Sequence, residues 1–79
     1  MFNPVLREKI EIAPPLHTGT VKFYNGSRGW GFLCGDNGEA VFFSITHVEG
    51  KRMLRKGKRV SYQIEQEERG PAARRVKAL

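Results

Sequence analysis

Cysteine occurs once in this 79-residue chain, at Cys34. A single thiol excludes an intramolecular disulfide and a cysteine-rich metal centre. It suits a reducing cytoplasm, and we expect it to behave as a small apolar strand residue. Histidine is also scarce: His17 and His47 are the only two. They stand far apart in sequence with no acidic cluster at ligand spacing, so no metal site is expected. No apolar run approaches the ~20 residues of a membrane-spanning helix, and residues 1–15 lack the continuous apolar stretch of a secretory signal. The expectation is a soluble cytoplasmic protein with no membrane partner.

Catalytic equipment is sparse as well. Glu67 and Glu68 are adjacent, and neighbouring carboxylates rarely converge on one substrate as acid and base. Ser44 has no recognisable base, and "GDNGEA" lacks both the spacing and the Gly-Lys-Ser/Thr ending of a phosphate-binding loop. Neither enzymatic activity nor a cofactor is expected.

Acidic residues number 8 against 14 lysines and arginines, giving a formal charge of +6 and a pI near 10.0. That balance favours a polyanionic partner such as nucleic acid, although ribosomal and membrane-surface proteins share it. A domain this small buries only about 60% of the surface its unfolded chain exposes, which excludes a second domain or a large internal cavity.

A sustained helical period is also missing. Residues 1–17, "MFNPVLREKIEIAPPLH", contain three of the four prolines and read as an extension, either disordered or an interaction arm. Within it, Ile10 and Ile12 alternate with Lys9 and Glu11 as a short edge strand would, whereas Val5, Leu6 and Ile10 would share one helical turn. Residues 18–79 form the domain. "TGTVKFYN" is strand-like up to the turn dipeptide Asn25-Gly26, "GWGFLC" follows, and "EAVFFSI", "RVSYQIEQ" and "AARRVKAL" complete five short strands separated by turn residues. Five strands without a long helix fit an all-β closed barrel, since closure removes exposed sheet edges.

The second of these strands holds Trp30 and Phe32 one residue apart. Alternate side chains share a face, so both rings belong either to the core or to a contact surface.

The patches "TGTVKFYNGSRGWGFL", "AVFFSI" and "RGPAARRV" resemble bacterial cold-shock proteins and the cold-shock domain of Y-box proteins, from Thr18 to Leu79. The resemblance implies a five-stranded antiparallel barrel of the OB type, with "RGWGFL" as the ribonucleoprotein motif RNP1 and "VFFSI" as RNP2. It implies binding of single-stranded RNA or DNA on an exposed platform of Lys22, Phe23, Trp30, Phe32 and Phe42. Arg28 would take the place of the family's lysine, and Arg69 of the "RGP" turn would line the same groove. The core then falls to Val21, Leu33, Val41, Phe43, Val48, Val60 and Ile64. Tyr24 follows Phe23 directly, and both rings can share a side only if the strand bends or bulges.

Three positions depart from the family pattern. Ser44 and Ile45 stand where RNP2 usually has histidine and phenylalanine, and Lys51 takes the place of an aromatic residue in the next loop. At ~1–3 kcal/mol per stacked base such losses weaken binding. The run "KRMLRKGKR" offers charge in exchange, either against phosphate or as a solvated surface. With Ser44 and Lys51 retained as site candidates, the expected function is that of an RNA chaperone or transcript regulator. The rival readings are a protein-interaction or self-associating module on the same barrel, monomeric or homodimeric, and a basic ribosome-associated protein that recognises folded RNA.

Overall fold

A computed structural model describes residues 15–79; the short strand or helical turn expected within residues 5–12 lies outside the described residues. Five strands follow in order: β1 (His17–Asn25), β2 (Trp30–Gly35), β3 (Ala40–Ser44), β4 (Arg59–Glu67) and β5 (Gly70–Ala78). Two short 3-10 turns, Ile45–His47 and Glu49–Lys51, begin the connection from β3 to β4. Among the described residues, no helix is long and apolar enough to cross a membrane.

The strands close into a barrel in the order β1-β2-β3-β5-β4, the architecture expected from the sequence. Four of the five seams are antiparallel, and β3 runs parallel to β5. One parallel seam is unavoidable, because antiparallel alternation around an odd number of strands cannot return to its starting direction. This seam is also sparse, carrying the pair Phe42↔Ala72 and an isolated bridge, Val48↔Val76.

Local chemistry sets the β1–β2 turn. Gly29 adopts φ +74°, a left-handed conformation that glycine enters without steric cost. Its N–H donates to the Asn25 carbonyl at 2.8 Å. The Asn25 side-chain oxygen accepts from the Arg28 N–H and the Ser27 hydroxyl, as expected of asparagine in a turn.

Val21, Leu33, Val41, Phe43 and Val60 are buried as the alternation requires and Val48 is buried between the two 3-10 turns, joined by Leu54, Tyr62, Ala72, Ala73 and Val76. Ile64, expected in the core, is only partly buried and packs against its edge. Exposure rises along β4 towards its hairpin turn, and Ile64 sits where the strand leaves the interior.

At the opposite end, Arg59 clamps Asp36 through two hydrogen bonds of 2.7 and 3.0 Å, and the Thr18 hydroxyl donates to the same carboxylate. These donors stabilise the charged form and bring the Asp36 pKa from 3.8 down to about 2. The clamp ties the β2–β3 turn to the starts of β1 and β4.

Candidate nucleic-acid interface

A register shift between Val21 and Phe23 creates the site's first strand. Val21 pairs with Leu33 and Phe23 with Phe32, leaving Lys22 as an extra residue opposite β2. A bulge of this kind reverses the in-and-out phase beyond it. Lys22 and Phe23 are therefore both exposed, while Tyr24 turns inward and stacks on buried Phe43 at a centroid distance of 5.8 Å.

On β2 and β3 the simple alternation holds. Phe32 and Phe42 face outward opposite one another, while their neighbours Leu33, Val41 and Phe43 are fully buried. Trp30 is half-buried and is the hub of the outward face, with ring centroids 5.6 Å from Phe23, 6.0 Å from Phe32 and 6.1 Å from Phe42. Phe32 and Phe42 meet edge-on at 5.8 Å. Exposures of 45% for Phe23 and 37% each for Phe32 and Phe42 leave ring surface available to solvent.

Gly31, between the two β2 rings, is required by close packing. A Cβ there would fall 2.1 Å from the Phe23 carbonyl oxygen and 2.9 Å from the Phe43 ring. The missing side chain lets β1 cross β2 closely enough for Phe23 to reach Trp30.

A groove of about 640 Å³ runs from these rings to the β4–β5 turn, lined by Trp30, Phe32, Phe42, Glu67, Arg69, Gly70, Pro71 and Ala72. Arg69 of the "RGP" turn thus lies in the same lining as the aromatic residues. Glu67 lines the groove too, from the last position of β4. The closure of β5 against β3 brings it there, and no local pattern announces that contact.

The remaining candidates sit around this centre. Ser44 pairs with Trp30 across β2–β3, and its hydroxyl accepts from the Thr46 N–H at 3.3 Å and lies 3.0 Å from the Thr46 hydroxyl, capping the 3-10 turn. Ile45 packs against the core and beneath Gly29, whose Cβ would lie 2.9 Å from its Cγ2. Arg28 is exposed on the β1–β2 turn, and Lys51 is exposed at φ 50° in the second 3-10 turn, outside the groove lining.

The basic connection before β4 runs beside β1. Gly57 donates to the Val21 carbonyl and Val21 to the Lys58 carbonyl, while the Met53 methyl lies 3.9 Å from where a Cβ of Gly26 would stand. Arg59 is committed to Asp36, Arg74 to Glu65 and Glu67, and Lys77 lies 3.8 Å from Glu49. Lys51, Arg52, Arg55, Lys56 and Lys58 have no carboxylate partner among the described residues. Among those residues, no cluster of three or more metal-ligating side chains occurs.

Comparison with known proteins gives a consistent family. The model of the "'Cold-shock' DNA-binding domain" family matches residues 17–79. Cold shock protein 2 of Lactiplantibacillus plantarum is 41% identical over 63 residues, covering 77% of this chain and 96% of that protein. Cold shock protein CspV of Vibrio cholerae is 45% identical over 65 residues, covering 78% and 93% respectively. The solved structure "drosophila Unr CSD456" superposes with a TM-score of 0.70 at 21% identity, over 99% of this chain and 31% of that one, which extends the likeness at the level of fold. With its closed five-stranded barrel and these relatives, the chain belongs to the cold-shock DNA-binding domain family.

Proposed function

We propose that this protein binds single-stranded RNA or DNA, stacking unpaired bases on Phe23, Trp30, Phe32 and Phe42 while Lys22, Arg28, Lys51 and Arg69 meet phosphates or stack on bases. The contact of Trp30 with three other rings on a half-open face carries this reading. Every base has a π-face, so such a surface holds a strand with little dependence on sequence. Duplexes hide those faces, so the protein favours unpaired strands. Family membership supports nucleic acid as the ligand.

Stabilising only the open form opposes hairpin formation without nucleotide hydrolysis. The proposed role is that of an RNA chaperone or transcript regulator, with no catalytic step. Ser44 supports the site by fixing the backbone beside Trp30; its hydroxyl already has partners.

Trp30 is the sole tryptophan, so its fluorescence reports on the site directly. Titration with heptathymidine should quench the emission, and a duplex of the same length should compete poorly. Tight binding without quenching would move the interface off this face.

A further inference from the structure

Among the described residues, Glu67 is the only acidic one in the groove lining. A carboxylate in a polyanion's path opposes binding unless it contributes a contact of its own. Its charge is moderated by Arg74, whose Nη2 donates to Glu67 Oε2 and lies 2.8 Å from Glu65 Oε1, while its Nη1 donates to the Ala73 carbonyl at 3.2 Å. Arg74 is partly buried, with 25% of its side chain exposed, so this contact fixes the side chain of Glu67, a residue of the groove lining.

We propose that Glu67 reads the edge of a base stacked in this groove and selects guanine there. The inference rests on the reading of the groove as a nucleic-acid site. An ionised carboxylate offers acceptors on two oxygens and no donor. Arg74 hydrogen-bonds to one of them, Oε2, and further acceptor positions remain. A base stacked against Trp30, Phe32 and Phe42 presents its Watson–Crick edge laterally, and unpaired bases are read on that edge. Guanine alone among the common bases places two donors side by side there, N1–H and the N2 amino group, matching a carboxylate with two hydrogen bonds. Thymine and uracil flank their single N–H with two carbonyl oxygens, which a carboxylate repels. Adenine and cytosine each offer one amino group beside an acceptor.

The test compares heptathymidine carrying one central guanine with the same strand carrying hypoxanthine, which lacks only the N2 amino group and stacks alike. Trp30 quenching reads the affinity, and thermal melting of each variant checks that it is folded. The wild type should bind the guanine strand about fivefold more tightly than the hypoxanthine strand, at the lower end of the range for a two-bond base contact. Glu67→Gln, which keeps one acceptor but introduces a donor, should bring that ratio close to one. Glu67→Ala should do the same while tightening binding to plain heptathymidine, since a negative charge has left the groove. A wild-type ratio of one, or a ratio that survives both substitutions, would overturn the assignment of Glu67 while leaving the stacking site intact. Failure of every heptamer to bind would overturn the site itself and Glu67's role with it. Equal weakening of all heptamers by both substitutions would make the Arg74 pair purely structural and refute base reading.

Discussion

Phe23 and Tyr24 are consecutive, yet they serve opposite sides of the barrel wall: Phe23 meets Trp30 outside, and Tyr24 stacks on Phe43 inside. The bulge at Lys22 makes this arrangement possible. Phe23→Ala should cost no more than about 1 kcal/mol of stability, from the lost edge contact with Trp30, yet about 1–3 kcal/mol of affinity for a single strand. Tyr24→Ala should do the reverse, losing about 2 kcal/mol of stability with affinity retained by the folded fraction. Urea unfolding and fluorescence titration of both variants separate the two effects. Equal behaviour of the pair would contradict the assigned faces.

A methyl group at residue 31 has no space. Gly31→Ala places a Cβ 2.1 Å from the Phe23 carbonyl oxygen, a backbone atom that cannot swing aside. The expected loss is about 3 kcal/mol, from overpacking and displacement of β1. A chemical denaturation midpoint indistinguishable from wild type would show that β1 and β2 are farther apart than described.

Acid should weaken the barrel through Asp36. Its carboxyl titrates at about 2 in the folded protein against an ordinary value of 3.8, because Arg59 and then Thr18 donate hydrogen bonds to the charged form. A depressed carboxyl pKa stabilises the fold above the unfolded value, and that contribution fades as pH falls from 3.8 through about 2. The Tm difference between wild type and Asp36→Asn should be constant above this window and shrink within it. A difference that persists at the lowest pH would assign the clamp's contribution to something other than this ionisation.

Charge beside β1 should appear as salt dependence. On single strands each neutralised phosphate adds about 0.7 to the slope of log K against log salt. Replacing Arg55, Lys56 and Lys58 together by glutamine should lower that slope by about 2 if each meets one phosphate. An unchanged slope, measured by titration across a range of salt concentrations, would make these side chains solvated surface only.

Much of the fold was legible because alternation survives in β2 and β3. Leu33, Val41 and Phe43 fall on the interior and Phe32 and Phe42 on the exterior, as the period of two dictates. Legibility fails where that period breaks. Val76 follows Arg75, which adopts φ 53° at the irregularity in the β4–β5 register, so counting along β5 loses phase. Leu54 lies inside a charged run with no period at all, yet it is buried. In β4, Val60 and Tyr62 are buried but so is Ser61 between them, so a period of two does not pick out the interior face there. At the candidate site, the aromatic residues and Arg69 were visible as motifs, whereas Glu67 enters the groove through tertiary closure.

The sparse line between β3 and β5 is where this wall is held least firmly, with Phe42 on one lip and Pro71 and Ala72 on the other. A strand lying in the groove would bridge those lips like a clasp. Occupancy would then slow amide exchange along both edges and raise the melting temperature with ligand concentration, coupling the protein's own integrity to its cargo.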